Sequence, residues 1–282
     1  MIMKKVLIAT DFSPAAEELL NCISELKAMG MEEAVLVHVV DIRLGEEASI
    51  PRQQLSLEKL KETAEKLHGF GVKTKSYTPI GFAATEIVQI AKAEEVSLIL
   101  IGSKGKSIVK EVFLGSTTFD VIRLTDVPVL VEKYCKGESS ECVSVCINKF
   151  QKVLLPIDFS ECSRSILEKV KAMAGVVQEV ILLTVVEQGE SDKQVEEAQT
   201  GYTEYLMEVA EELRQLGIST KVVVEVGIPS VCINKWAEAE QVTSIIMGTR
   251  GKGLIKSLLL GSTSDAVART AKRPVVLIPC NS

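Results

Sequence analysis

The chain repeats itself at an offset of about 146 residues, and this internal repeat limits its fold more than any other feature. The segment KVLIATDFS at residues 5–13 returns as KVLLPIDFS at residues 152–160. Three more pairs of segments recur in the same order, at residues 35–41 and 181–187, 98–106 and 244–252, and 114–117 and 260–263. Solenoid repeats are about 20–50 residues long, so this longer period indicates a duplicated domain.

The segment between the copies differs from both of them. Residues 136–141, KGESSE, are polar, lack an apolar period and have no counterpart inside either copy. Such composition is typical of a linker between domains. We therefore predict a first domain over residues 1–134, a linker over 135–149 and a second domain over 150–282.

Short apolar runs alternate with helical patterns inside each copy. In the first copy these runs lie at residues 6–10, 34–40, 72–77, 98–101 and 129–131. Helices are predicted from Ser13 onward and over residues 55–67, 85–93 and 116–124. Apolar strands that alternate with helices indicate a Rossmann-like α/β fold, with a doubly wound parallel sheet covered on both faces. Such sheets bind ligands beyond the carboxyl ends of their strands, where the strand order reverses.

A glycine pattern, Gly-x2-Gly-x9-Gly-Ser-Thr, follows the fourth strand of each copy with identical spacing. Its residues are Gly102, Gly105, Gly115, Ser116 and Thr117 in the first copy and Gly248, Gly251, Gly261, Ser262 and Thr263 in the second. Glycine lets a ligand approach the backbone, and the start of a helix presents free N–H groups and a positive dipole end to an anion. Each copy is therefore predicted to wrap a ribose and a polyphosphate.

This pattern differs from two familiar phosphate-binding motifs. A Walker A loop that ends in the GKS of residues 105–107 requires glycine at position 100, where the chain has Leu100. The dinucleotide motif belongs after the first strand, where residues 11–13 read DFS.

With an aspartate ending the first strand of each copy, the doubled pattern resembles the nucleotide-binding branch of the universal stress proteins, in their tandem form. The resemblance covers nearly all of the chain outside the linker. It implies a five-stranded parallel sheet flanked by helices in each domain, and one adenine nucleotide (ATP, ADP or AMP) per domain. It implies that Asp11 and Val39, with their counterparts Asp158 and Val185, contact the adenine, while the motif residues hold the ribose and phosphates.

The resemblance has further implications. It implies that a Mg²⁺ or Mn²⁺ ion can be held through the phosphates, with no metal ligand predicted from the protein. It implies that the two domains pair through their last strands within one chain, and it allows two chains to pair again as a homodimer. It also implies a role in a stress response or in signalling, with a partner protein that the sequence does not identify.

The resemblance favours a binding module whose ligand state changes its assembly or its partner. Two enzymatic functions remain as alternatives. A slow ATP hydrolase or phosphotransferase needs a residue that positions the nucleophile, and each copy offers only hydroxyls and loop lysines. A nucleotidyltransferase or synthetase-like enzyme carries a histidine signature after the first strand, where residues 11–14 read DFSP. We favour the binding module and predict no catalytic residue.

Several residues near the motif also have structural interpretations. Asp11 and Asp158 suit the cap of the helix that follows each of them. His38 is interpreted as a core residue, because Thr184 replaces it in the second copy. The loop cations are interpreted as solvated; they are Lys104, Lys106, Arg250 and Lys252.

Composition limits the classes of binding partner and the cellular compartment that we expect for this protein. The net charge of −6 argues against nucleic acid or an anionic membrane as the main partner. With no signal-like segment and an odd count of seven cysteines, we expect a cytoplasmic protein with reduced thiols. Cys162 and Cys280 are interpreted as apolar fillers or surface thiols. Three cysteines in and around the linker leave a redox or zinc role open, namely Cys135, Cys142 and Cys146.

Overall fold

The fold was obtained as a computed structural model, which describes residues 3–103, 114–136, 142–145, 148–187, 192–251 and 260–280. The chain divides into two compact units, one over residues 2–147 and the other from residue 148 onward.

The first domain consists of alternating strands and helices. Its strands are β1 (Lys5–Ala9), β2 (Glu33–Val37), β3 (Val40–Asp41), β4 (Lys73–Tyr77), β5 (Ile80–Gly81), β6 (Leu98–Gly102), β7 (Val129–Glu132), β8 (Tyr134–Lys136) and β9 (Cys142–Ser144). Its helices are α1 (Pro14–Glu17), α2 (Ile23–Ala28), α3 (Glu46–Gly69), α4 (Ala83–Ala93) and α5 (Ser116–Leu124), with 3₁₀ turns over Glu18–Cys22 and Ile42–Leu44.

The main sheet of this domain has five parallel strands in the order β4-β2-β1-β6-β7. The chain leaves β1 toward β2 on one side and later returns to β6 on the other, so strand order reverses between β1 and β6. Almost every side chain of β1, β2, β6 and β7 is buried, because helices cover the sheet.

The second domain repeats this arrangement. Its strands are β10 (Lys152–Pro156), β11 (Glu179–Val186), β12 (Ser219–Val226), β13 (Ser244–Gly248) and β14 (Val275–Ile278), and its helices are α6 (Glu161–Lys171), α7 (Asp192–Gln215), α8 (Pro229–Ala239) and α9 (Ser262–Thr270). The parallel order is β12-β11-β10-β13-β14, with the reversal between β10 and β13. The predicted fold class, two tandem five-stranded doubly wound sheets, is confirmed.

Several element boundaries differ from the sequence predictions. The predicted strand over 34–40 is split into β2 and β3, and the neighbouring β4 and β5 are split at the same level, where Pro79 lacks an N–H group for the ladder. In the second domain Glu225 occupies the place of Pro79, and β11 and β12 run unbroken. The predicted linker contains β8 and β9, which pair antiparallel.

The first two helices also differ in extent. The helix predicted from Ser13 is divided into α1, a 3₁₀ turn and α2. Helix α3 begins at Glu46, well before the predicted start at residue 55, and includes Pro51. Residues 46–54 lack an apolar period, so the sequence pattern does not predict their helical structure.

An ion cluster at the end of α4 is repeated at the end of α8 in the second domain. Glu94 accepts hydrogen bonds from Lys75 at 2.7 Å and Lys5 at 3.2 Å, and also from the Tyr77 hydroxyl. Hydrogen bonds from Lys75 and then Tyr77 lower the pKa of Glu94 from 4.5 to about 2. In the second domain Lys221 and Lys152 bind Glu240 in the same way and lower its pKa.

We predict that Glu94→Gln lowers the free energy of unfolding by about 1–2 kcal/mol at pH 7. The native pKa of Glu94 lies below its unfolded value, so its contribution is present above pH 4.5 and is lost as the pH falls toward 2. Thermal unfolding should therefore show a smaller effect of the substitution at pH 3 than at pH 7. The control is Glu95→Gln at the exposed neighbouring position, which installs the second domain's Gln241. An equal loss at both pH values would contradict this account.

Candidate functional site

The predicted site residues of the first domain lie at the carboxyl ends of its strands. Asp11 follows β1, Val39 lies between β2 and β3, and Gly102 is the last residue of β6. Gly115 is the N-cap of α5, and Ser116 and Thr117 are its first two residues. Gly105 lies outside the described residues. Since β1 and β6 are neighbours, these groups converge where strand order reverses.

One hydrogen bond in each domain fixes a helix start to a strand end. Thr118 Oγ1 donates to the carbonyl oxygen of Gly102 at 2.7 Å. In the second domain Ser264 Oγ donates to the Gly248 carbonyl, also at 2.7 Å. Both hydroxyls belong to buried residues. The glycine pattern does not predict them, because it ends at the threonine before each of them.

The N–H groups of the two cap glycines form hydrogen bonds within the protein. Gly115 N–H donates to the Ser103 carbonyl at 2.8 Å, and Gly261 N–H donates to the Thr249 carbonyl at 2.7 Å. The next amides, those at the first positions of α5 and α9, have no acceptor within their own helix. Neither N-cap glycine provides a side-chain cap for these amides. Each helix begins beyond a strand end, so its amides and the positive end of its dipole lie at the carboxyl edge of the sheet.

Neither cap glycine is required by the backbone. Gly115 has φ −60° and ψ 147°, and Gly261 has φ −72° and ψ 149°, values that any residue adopts. A Cβ atom at Gly115 would lie 3.4 Å from the Ser103 carbonyl oxygen, an ordinary contact. The backbone therefore tolerates a side chain at these two positions.

In the second domain the predicted residues line one cavity of about 620 Å³. This volume lies within the range of small-molecule sites, about 300–1,000 Å³. The cavity wall includes all seven positions predicted for the second copy: Asp158, Val185, Gly248, Gly251, Gly261, Ser262 and Thr263. The structure thus brings together residues that are up to about 100 positions apart in the sequence.

The aspartates support the turn after the first strand. Asp11 Oδ1 accepts from Ser13 N–H at 3.0 Å, and Asp158 Oδ1 accepts from Ser160 N–H at 3.1 Å. The helix caps are the two serines, so the interpretation of the aspartates as caps is wrong by two residues. Asp158 Oδ2 lies against Gly251, where a Cβ atom would overlap it. The aspartate and the glycine loop therefore form one continuous wall.

The residue after each aspartate has a left-handed backbone. Phe12 has φ 58° and Phe159 has φ 61°. A bulky residue rarely adopts this region, at a cost of about 1–3 kcal/mol, and such strain is concentrated at functional sites. The Phe12 ring packs on His38 with centroids 4.4 Å apart, whereas the Phe159 ring stacks on Tyr202 at 4.5 Å.

In each domain, the residue at one equivalent position contacts the backbone carbonyl that precedes the aspartate. His38 Nδ1 lies 2.8 Å from the Thr10 carbonyl oxygen, and Thr184 Oγ1 donates to the Ile157 carbonyl at 2.9 Å. These two carbonyls directly precede Asp11 and Asp158. His38 is only half-buried, so its interpretation as a core residue is only partly right.

Arg250 contributes positive charge to the second cavity. It lines the cavity, and its Nε is buried without a hydrogen-bond partner among the described residues. A buried guanidinium nitrogen that lacks an acceptor is suited to an anionic ligand. The sequence interpretation of Arg250 as a solvated loop residue is therefore wrong. Its counterpart Lys104, together with Lys106 and Lys252, lies outside the described residues.

The cavity also contains a disulfide. Cys162, in the first turn of α6, lines the cavity and is bonded to Cys280, with Cα atoms 5.4 Å apart. The prediction that all thiols are reduced, and that these two are separate fillers or surface thiols, is therefore wrong. The two cysteines are 118 residues apart, and only the parallel sheet brings their segments to the same edge.

Among the residues that the structure describes, no group of three or more His, Cys, Asp or Glu residues is arranged to hold a metal ion. Within the same ranges, none of the helices has the length and apolar character that crossing a membrane requires. Cys146 of the linker cluster lies outside these ranges.

Comparisons with known proteins were made for the whole chain. The sequence profile of the Universal stress protein family matches residues 3–133 and again residues 149–279. A universal stress protein of Methanocaldococcus jannaschii is 33% identical over 156 residues, which cover 47% of this chain and 96% of the relative. A second one from the same organism is 32% identical over 153 residues, covering 49% of this chain and 86% of the relative.

Solved structures agree. The crystal structure of a universal stress protein from Archaeoglobus fulgidus matches with a TM-score of 0.77 at 28% identity, covering 99% of both chains. A putative universal stress protein from Pseudomonas aeruginosa matches with a TM-score of 0.68 at 16% identity, over 98% of this chain and 93% of that one. The second likeness concerns the fold alone.

We predict that Thr118→Val destabilises the first domain by about 1–2 kcal/mol, because the Gly102 carbonyl loses the hydrogen bond from the buried Thr118 hydroxyl. Ser264→Ala should have a similar effect on the second domain. Denaturant unfolding of the full chain measures both. Thr118→Ser is the matched control, since it keeps the donor and installs the residue of the second domain. If Thr118→Ser were as destabilising as Thr118→Val, the hydrogen bond would not be the cause.

Proposed function

Because the chain belongs to the universal stress protein family, we propose that each of its two domains binds one adenine nucleotide. In this proposal the protein is a cytoplasmic stress-response or signalling module whose ligand state changes its assembly or its partner. The observation that carries the proposal is the single cavity lined by all seven second-copy positions that the motif and the resemblance assign to a nucleotide.

The donors and acceptors of the cavity fit an adenine nucleotide. Adenine carries an exocyclic amine, and Asp158 offers a carboxylate acceptor at the cavity wall. The amides at the start of α9, the hydroxyls of Ser262 and Thr263, and Arg250 Nε, which has no partner among the described residues, suit phosphate oxygens. Gly248 and Gly251 line the cavity between these two ends, where the ribose would lie against their backbone.

The first domain has the same supporting frame. Its aspartate turn, its strand-to-helix hydrogen bond and its uncapped helix start repeat those of the second domain. We therefore propose an equivalent site formed by Asp11, Val39, Gly102, Gly105, Gly115, Ser116 and Thr117. A bound Mg²⁺ or Mn²⁺ ion would neutralise phosphate charge and take its ligands from the nucleotide and water.

Assembly belongs to the same proposal. The family resemblance assigns the last strand of each domain to a pairing contact, so that two domains pair within one chain and two chains can form a homodimer. Analytical ultracentrifugation with and without ATP and Mg²⁺ measures this directly. A sedimentation coefficient that does not respond to nucleotide would contradict control of assembly by the ligand.

We predict that Gly115→Val together with Gly261→Val abolishes ATP binding while the fold stays intact. A branched side chain at these positions fits the backbone but fills the space that the phosphates need. Isothermal titration calorimetry with ATP and Mg²⁺ should show two sites in the unchanged protein, one in each single variant and none in the double variant.

The matched control is Gly201→Val, a glycine in the interior of α7 where an added Cβ atom would meet open space. Circular dichroism of all variants reports on the fold. Normal ATP binding by the folded double variant would overturn the site assignment. Turnover of ATP in the same samples near the ordinary enzyme range, about 1–10³ s⁻¹, would instead favour the hydrolase or phosphotransferase.

A further inference from the structure

The Cys162–Cys280 disulfide lies directly against the glycine motif of the second cavity. Cys162 belongs to the first turn of α6, and Cys280 follows the end of β14 by two residues. A Cβ atom at Gly248 would lie 2.5 Å from Cys162 Sγ and 2.9 Å from Cys280 Sγ. Both sulfurs therefore occupy the space that a side chain at Gly248 would need, so glycine here makes room for the disulfide.

The first domain has no counterpart of this pair. Ala15 and Tyr134 occupy the positions equivalent to Cys162 and Cys280. Ala15 is buried in the first turn of α1, at the same place in its domain. The two domains thus share one supporting frame, and the first domain carries no sulfur at the two positions that form the disulfide in the second.

We propose that Cys162 and Cys280 form a reversible thiol–disulfide site that sets the affinity of the second cavity for its nucleotide, with a dithiol as the reductant. This inference rests on the proposed function. It makes the second nucleotide site responsive to redox conditions and leaves the first site unresponsive. Disulfides in reducing compartments are usually transient or redox-sensing, which agrees with the cytoplasm expected from the sequence.

The chemistry is ordinary thiol–disulfide exchange. One thiolate of the dithiol attacks a sulfur of the pair, the Cys162–Cys280 bond breaks, and the other cysteine leaves as a thiolate. The second thiolate of the reductant then attacks the reductant's own sulfur in the mixed disulfide, and the remaining cysteine leaves as a thiolate. Two electrons and two protons pass to the cysteines, and the dithiol becomes a disulfide. Both cysteines are partly exposed, and Cys162 lines the cavity, so a small dithiol reaches the bond from the cavity.

Reduction changes the cavity wall because the sulfurs of two thiols must lie farther apart than the two sulfurs of a disulfide. The sulfurs of a disulfide are about 2.05 Å apart, whereas unbonded sulfurs must separate to van der Waals contact. Gly248 closes one side, so the added distance must move the start of α6 or the segment of Cys280. The start of α6 directly follows the Asp158 turn, and Cys280 Sγ lies 3.6 Å from the Arg250 carbonyl oxygen. Either movement displaces a residue that the proposed function assigns to the ligand.

The expected result is weaker binding after reduction. The disulfide holds the Asp158 turn and the Arg250 loop in place before the ligand arrives, and pre-organisation of this kind increases affinity. We predict that reduction raises the Kd of the second site for ATP about tenfold, which corresponds to about 1.4 kcal/mol. Bound ATP covers Cys162 and should slow the reduction in return.

The test uses full-length variants in which only one site is active. Gly115→Val leaves the second site, and Gly261→Val leaves the first. Calorimetry with ATP and Mg²⁺ is performed before dithiothreitol, after it and after reoxidation with glutathione disulfide. Maleimide labelling with mass spectrometry reports the state of each cysteine. The Kd of the second site should rise and then recover, while the Kd of the first site should not change.

Two variants of the Gly115→Val protein test the origin of the response. Cys162→Ala, which installs the first-domain residue, should remove the dependence on dithiothreitol and fix the Kd at the weaker value. Cys232→Ala removes a buried cysteine of the same domain outside the pair and should preserve the full response.

The outcomes separate this inference from the proposed function. If labelling shows complete reduction of Cys162 and Cys280 while the Kd of the second site is unchanged, the redox inference is overturned and nucleotide binding stands. A disulfide that dithiothreitol cannot reduce in the folded protein would also overturn it, since the bond would then be purely structural. Absence of ATP binding at both sites in both redox states would overturn both proposals.

Discussion

The functional edge of each domain depends on one hydroxyl-to-carbonyl hydrogen bond. Thr118 and Ser264 each donate, at 2.7 Å, to the glycine carbonyl that ends the fourth parallel strand. The bond fixes the start of α5 or α9 beside the strand where the order of the sheet reverses. The free amides, the helix dipole and the aspartate of the adjacent strand therefore face the same space. A shift of this helix would separate the groups that the proposed nucleotide needs together.

The duplicated domains preserve this frame and differ in the side chains that surround it. His38 and Thr184 support the carbonyl before the aspartate with different donors. The phenylalanine after each aspartate keeps its strained backbone, yet it packs on His38 in one domain and on Tyr202 in the other. In the proposed function this frame provides the ligand chemistry common to both domains, whereas the surrounding side chains would let the two proposed sites respond differently. The disulfide is the clearest of these differences.

Much of this architecture could be predicted from the sequence. Apolar strands that alternate with helices determine the parallel sheet, and the carboxyl ends of its strands place Asp158 and Gly248 on one edge without any knowledge of distances. The disulfide could not be predicted, because Cys162 and Cys280 are 118 residues apart and follow no known spacing. The left-handed backbone of Phe12 and the donor role of Thr118 could not be predicted from the sequence either. A phenylalanine after a strand and a hydroxyl in a first helical turn are both too common to indicate these roles. Helix α3 began earlier than predicted because its first turns lack an apolar period.

The central claim is that the chain holds two adenine nucleotides, one in each domain. The most direct test is to denature the purified protein after saturation with ATP and Mg²⁺ and removal of free ligand, and to count the released nucleotides by mass spectrometry. The account predicts two adenine nucleotides per chain, and their phosphate number identifies the form that the sites retain. Release of none, together with no binding on titration, would contradict it and make the glycine pattern a purely structural feature of an interaction module.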